Sequence, residues 1–336
     1  MPGRALVVGI DAYGNGRDLS ACVTDATKIA SLLENHGNGD PNYDVKVLTS
    51  ANNDVSASNI MTHVTQLFSS PTETALFYFA GHGTVDANTQ KGFLETPDGN
   101  TVSPGIDISA LLNLATEAYE KNIQSTVIIL DCCQSGIAAQ GRAYQGLSKG
   151  VSVIGDGVTI LTASRSDQSA TEDEDGHGTF TGILIDGLEG AASDVLGRIT
   201  PAALYSYIDQ SLGEWEQRPV YKANVQKFIT VRKISPKVPI EVLRRIPKYF
   251  PTVGHVFKLD PTYEKDRGEE TERLKHIPYS VENFAIFREL QKLQSVGLVK
   301  PSEHDFMWHS AIYSGGCRLT ATGAHYRYLA LNNRIR

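Results

Sequence analysis

Two short runs hold the side chains best suited to covalent chemistry. The first is Gln124-Ser-Thr-Val-Ile-Ile-Leu-Asp-Cys-Cys-Gln-Ser-Gly136, apolar from Val127 to Leu130 and then broken by Asp131, two cysteines and a Ser135-Gly136 turn. The second, about fifty residues upstream, is Thr74-Ala-Leu-Phe-Tyr-Phe-Ala80 followed by Gly81-His82-Gly83. Each reads as a buried parallel strand with a reactive side chain at its carboxyl end, where α/β sheets place their reacting groups. On neighbouring strands, a thiol and an imidazole would meet at one sheet edge. An imidazole within hydrogen-bond reach draws off the thiol proton, the thiolate attacks a carbonyl, and the imidazolium returns the proton to the leaving amine. The developing oxyanion needs backbone N–H groups. Gly83 beside His82, and the tight turn that begins at Cys133, offer such amides without steric hindrance.

The elements that must position these groups are legible along the chain. Residues 5–10 read as a buried strand and 24–35 as a helix with Ile29, Leu32 and Leu33 on one face. An edge-side strand is expected at 43–48 and an amphipathic helix at 56–67. Residues 92–95 and Val102, around Pro97-Asp98-Gly99-Asn100, read as a small hairpin. Helices at 108–119, 180–188 and 200–212, and strands at 158–163 and 225–231, continue the pattern; Thr200-Pro201 is a helix-opening pair. Alternating strands and helices predict a mostly parallel sheet covered on both faces. Two prolines at Ser235-Pro-Lys-Val-Pro239 mark a linker, dividing the chain into 1–236 and 237–336. Beyond it, a helix at 282–293, a short strand, a hairpin at 307–313 with Gly315-Gly316 and a helix opened by Thr320 suggest a small α+β, winged-helix-like domain.

The 336 residues, 41% hydrophobic and 21% charged, describe an ordinary globular chain long enough for one large and one smaller domain. The amino terminus enters a strand-like run without the length of a signal peptide, and no run approaches the ~20 apolar residues of a membrane span. No membrane partner is expected. The four cysteines (Cys22, Cys132, Cys133, Cys317) lack a zinc spacing, and the adjacent pair points to opposite faces of an extended chain, so a reducing cytoplasm is expected. From Val238 onward there are 15 Lys/Arg against 11 Asp/Glu, net +4; the rest holds 16 against 27, net −11. An acidic first part favours cationic substrates and a basic tail favours anionic ligands, though both charges also serve as solvated surface.

Here the motifs resemble a known family. Gly81-His82-Gly83 and Asp131-Cys132-Cys133-Gln134-Ser135-Gly136 are similar to the His-Gly and Asp-x-Cys-x-x-Gly elements of caspase-like cysteine peptidases, closest to the bacterial metacaspase-type branch. Softer matches are Ala5-Leu-Val-Val-Gly-Ile-Asp11 with Leu19-Ser-Ala-Cys-Val-Thr-Asp25, and Leu161-Thr-Ala-Ser-Arg-Ser-Asp-Gln168. The resemblance covers roughly residues 5–235. It implies a three-layer caspase-like sandwich on a six-stranded sheet, with His82 as base and Cys133 as nucleophile while Cys132 fills the variable slot. Gln134 departs from the His common at that position in metacaspases.

The resemblance also implies cleavage after Arg or Lys, with Asp25 and Asp131 as the recognising carboxylates and Ser164 and Asp167 near the same rim. A bidentate carboxylate suits a guanidinium; Asp131 equally suits the role of anchor for the nucleophile turn. The acidic run 172–175 reads first as a solvated loop. Arg142 and Lys149 are self-cleavage candidates or parts of a flexible basic loop. No obligatory metal is expected, although Asp173 and Asp175 form a candidate calcium cluster. Relatives with appended tails imply an antiphage or cell-death effector, and a nucleotide-type messenger is an expected activator, with Arg244, Arg245, Arg318 and Arg327 for phosphates and Trp308, Tyr313 and Tyr326 for stacking. Trp308 and the tyrosines equally suit a small core. A tail that binds DNA or a protein is the second reading, with the charge thin for nucleic acid. A non-catalytic scaffold is the third.

Overall fold

Runs of β-branched and aromatic residues bury both faces of the central strands, which fixes the layers of the first unit. The computed structural model describes residues 2–14, 16–86, 89, 91–132, 154–163, 176–213 and 218–335. The chain divides into two compact units: Met1–Ser193 with Arg198–Ile234, and Asp194–Gly197 with Ser235–Arg336.

The first unit runs β1 (Gly3–Gly9), α1 (Cys22–Glu34), β2 (Tyr43–Thr49), α2 (Ala57–Ser69), β3 (Thr74–Ala80), β4 (Gly83–Val85), β5 (Gly92–Glu95), β6 (Gly105–Asp107), α3 (Ile108–Glu120), β7 (Ser125–Asp131), β8 (Val158–Thr162), α4 (Thr179–Asp186), β9 (Arg198–Ile199), α5 (Pro201–Ser211), β10 (Val220–Asn224) and β11 (Arg232–Lys233). Its six-stranded sheet has the order β10-β8-β7-β3-β1-β2, parallel except for β10. Side chains alternate between faces. Phe77, Phe79, Ile128 and Leu130 join the core under α2 and α3, and Leu76, Tyr78, Val127 and Ile129 join the core under α1, α4 and α5. Each large side chain buried in this way contributes about 1.5–3 kcal/mol. A separate antiparallel sheet, β4-β5-β6, follows β3 directly.

Helix starts match their capping chemistry. Asp107 caps α3 through the Ser109 N–H at 2.7 Å, and Thr200 caps α5 through the Ala203 N–H at 3.1 Å. The carboxylate of Asp11 serves α1, accepting from the N–H groups of Cys22 (2.8 Å) and Val23 (3.2 Å).

Three expectations need correction. The last sheet strand is Val220–Asn224, antiparallel to β8, and not 225–231. Val225 and Phe228, which made the later run look strand-like, are 39% and 66% exposed. Val102 is 86% exposed and outside any strand; β5 pairs with β6 instead. The expected hairpin at 307–313 is a helix over Met307–Ile312, because Met307, Ser310 and Ala311 are buried at helical spacing.

The second unit comprises α6 (Ile240–Tyr249), β12 (Val256–Lys258), α7 (Val281–Ser295), β13 (Val299–Pro301), α8 (Met307–Ile312), β14 (Gly316–Leu319) and α9 (Ala321–Leu331). Its antiparallel sheet has the order β12-β14-β13. Leu243, Ile246, Phe250, Phe287, Leu290 and Leu298 form its core. Among the described residues, no helix is long and apolar enough to cross a membrane.

One glycine holds α9 against the chain before β13. A Cβ at Gly323 would collide with the Leu298 carbonyl, which also accepts the Thr320 N–H at 3.0 Å. Glycine-to-alanine changes inside helices ordinarily stabilise by about 1 kcal/mol. Gly323→Ala is expected to reverse that sign and cost about 1–3 kcal/mol, read as a lower urea midpoint by tryptophan fluorescence.

Candidate active site

The register of β3 and β7 sets the site. Ala80 pairs with Asp131, and the Gly81 N–H extends the ladder to the Asp131 carbonyl at 3.2 Å. His82 therefore follows the last rung on one strand by two residues, and Cys133 follows it on the other by the same number. Cys133 itself lies outside the described residues, as do Ser164, Asp167, Arg142, Lys149, Asp173 and Asp175. Cys132 is described and is buried in the core under α2 and α3. Gly83 opens β4 immediately after His82.

Arg17 and Tyr13 hold the imidazole, and backbone bonds hold the residue that carries it. His82 Nε2 lies 2.6 Å from the Arg17 carbonyl oxygen. A carbonyl only accepts, so Nε2 carries the proton and the neutral ring keeps its lone pair on Nδ1. The His82 backbone N–H donates to the Tyr13 hydroxyl at 2.7 Å, and the Tyr13 and His82 rings stand 4.7 Å apart. The Arg17 guanidinium forks onto Glu95 at 2.9 and 3.3 Å, and the Glu95 N–H returns to the His82 carbonyl at 2.9 Å. The residue whose carbonyl orients the ring is thus tied to the strand beside it. Asp18 fixes the intervening loop by accepting from the Tyr13 and Gly14 N–H groups at 2.8 and 3.2 Å. Burial pushes the Tyr13 phenol far above its ordinary range, so it stays a neutral hydroxyl.

A second, acidic cluster lies beneath this edge. Asp25 on α1 is 2% exposed and Asp131 at the end of β7 is 5% exposed. Asp25 accepts from the Gly178 N–H at 3.3 Å and sits 2.7 Å from His177 Nδ1. Asp131 accepts from the Thr181 hydroxyl at 2.7 Å, and that hydroxyl is 2.6 Å from the Tyr78 hydroxyl. Burial pushes the Asp25 carboxyl up to about 7, and the nearby Asp131 charge adds to the rise against the opposing pull of His177. Two carboxylates in one low-dielectric place are costly, and a cation would relieve that cost.

With this geometry in view, the relatives are informative. Residues 2–229 match the model of the caspase domain, a family of peptidases. The chain belongs to the caspase domain family. It is thereby homologous to cysteine peptidases. A stretch of 92 residues is 30% identical to Metacaspase-1 of Scheffersomyces stipitis, spanning 26% of this chain and 23% of that protein. Among solved structures, caspase-1 from Spodoptera frugiperda is 12% identical over 69% of this chain and 90% of its own, with a TM-score of 0.48. A protein from Geobacter sulfurreducens is 18% identical over 70% of this chain and 98% of its own, with a TM-score of 0.44.

The residues expected in the tail are occupied within their own unit. Arg244 donates to the Ile335 carbonyl at 3.0 and 3.1 Å, Arg245 forks onto Glu289, and Arg327 donates to the carbonyls of Phe250 and Pro251. Trp308 donates its indole N–H to the Asp266 carbonyl at 2.8 Å, and Tyr326 is buried. Arg318 is exposed on β14, directly across from Lys300. Sequence reasoning missed Tyr13, Arg17, Glu95, Thr181 and His177. Only His177 had an available signal, since Gly176-His177-Gly178 repeats the glycine flanking of His82.

Because Asp25 holds its proton more tightly when folded than the ordinary value near 4, its contribution to stability is full below about pH 4. It is lost as pH rises to about 7, since the folded state binds the extra proton over that window. Urea midpoints measured from pH 4 to 7.5 should show this decline in the wild type and its loss in Asp25→Asn.

Proposed function

We propose that the chain is a cysteine endopeptidase of the caspase family in which Cys133 attacks and His82 serves as base and then acid. The observation that carries the reading is the bond from His82 Nε2 to the Arg17 carbonyl at the edge where β3 and β7 end. With Nε2 committed as donor, Nδ1 is the atom that takes the thiol proton, and the resulting imidazolium keeps the carbonyl as its partner. The oxyanion is assigned to the amides of Gly83 and Cys133. Peptide cleavage is then attack by sulfur, return of the proton from Nδ1 to the leaving amine, and hydrolysis of the thioester by water.

The cleavage preference is proposed to be Arg or Lys, with Asp25 and Asp131 facing the cationic side chain. Their burial, and the retention of a cationisable ring on Asp25, favour this over an acidic preference. On this reading the substrate's guanidinium displaces His177 from Asp25. Ser164 and Asp167 are kept as rim residues and Arg142 and Lys149 as self-cleavage sites.

The second unit is proposed to regulate the peptidase. Its strand order, β12-β14-β13, with α7 before β13 and α9 after β14, fits a winged-helix-like module. Lys300 and Arg318, paired across β13 and β14, repel each other, so an anion on that face is favoured. A nucleotide-type messenger, in a cytoplasmic defence or cell-death role, remains our proposal for that anion. A DNA or protein partner is the alternative, distinguished by a salt-dependent gel shift.

The direct test is a fluorogenic peptide panel with the full chain, with and without nucleotides. Arg- or Lys-terminated peptides should be cut at least ~100-fold faster than Asp-terminated ones, and Cys133→Ala or His82→Ala should lose about 10³-fold or more in kcat. Faster cutting of Asp peptides overturns the preference; full activity in Cys133→Ala overturns the mechanism. KM for Arg peptides should fall as pH rises through about 7, because Asp25 must ionise to bind the cation. Asp25→Asn should raise KM and remove this dependence.

A further inference from the structure

At the opposite end of the sheet, the first residues of three parallel strands, Gly3, Thr74 and Ser125, line an open-mouthed cavity of about 510 Å³. That volume falls in the roughly 300–1,000 Å³ range of small-molecule sites. Its chemistry is unusual for a structural crevice because hydrogen-bond donors converge on it. His36 Nδ1 accepts the Lys233 N–H at 3.1 Å, which leaves the proton of the neutral ring on Nε2 as a donor. Lys227 holds the Gln124 amide oxygen at 2.6 Å and has further N–H groups to give, while the Lys233 ammonium makes no ion pair among the described residues. Burial and the positive charges of Lys233 and Arg232 lower the His36 pKa, in keeping with an electropositive lining. Glu73 is the one carboxylate in the lining, and it is exposed. Phe228, 66% exposed, places an aromatic ring at the same cavity.

We propose that this cavity is a binding site for a small phosphate-bearing ligand of mononucleotide size, held by Lys227, Lys233 and His36 with the aromatic ring of Phe228 beside it. The two lysines supply charge, and the His36 Nε2–H supplies direction. The site is separate from the peptidase chemistry, so it stands or falls without it. It is also distinct from the Lys300–Arg318 face.

Isothermal titration of the full chain with AMP, pyrophosphate and adenosine tests it. AMP should bind, and adenosine at least about tenfold more weakly, since charge carries the interaction. K227Q/K233Q should weaken AMP at least about tenfold, whereas R318E should leave it unchanged. E73Q should tighten binding. The proposal is overturned if neither AMP nor pyrophosphate binds at millimolar concentration, if adenosine matches AMP, or if K227Q/K233Q binds as the wild type does.

Discussion

The reactive edge of the first unit depends on the pairing of two buried strands. Because β3 and β7 are buried on both faces, neither can slide by one residue without turning its side chains into the wrong core. That constraint locks Ala80 opposite Asp131 and brings the chain positions of His82 and Cys133 to the same rung spacing. Burial therefore acts as the positioning force for chemistry: the cost of misplacing Phe77, Tyr78 or Phe79 is what keeps the histidine's backbone in place.

Orientation of the ring is a separate matter, and a closed circuit of hydrogen bonds supplies it. Arg17 gives its carbonyl to His82 Nε2 and its guanidinium to Glu95, and Glu95 gives its N–H back to His82. A carbonyl only accepts, so this bond fixes the tautomer as well as the orientation of the ring. The acidic cluster works differently. Asp25 and Asp131 are buried near each other at a cost, relieved by His177 and Thr181, and that stored cost is what a cationic side chain would recover on binding.

Much of this was legible in the sequence where burial is extreme. The runs at 74–80 and 127–130 read as buried strands, and glycines and charge at their ends marked the turns that follow. Legibility failed where exposure and composition part company. The edge strand Val220–Asn224 carries Lys222 and Asn224 and looks polar, while Val225 and Phe228 are apolar and exposed. The Arg17 carbonyl left no trace, since any residue type supplies one. In the tail, arginines that looked available for phosphates instead close helix ends and chain termini, as Arg244 does with the Ile335 carbonyl and Arg327 with Phe250.

The proposed peptidase chemistry requires that His82 and Cys133 act as a pair. The rate of Cys133 alkylation by iodoacetamide against pH, followed by peptide mass mapping, tests it most directly. Cys133 should be labelled selectively with a midpoint below the ordinary thiol value of about 8.5, moved upward by about one unit or more in His82→Ala. Identical profiles in the two proteins, or preferential labelling of Cys132, would contradict it.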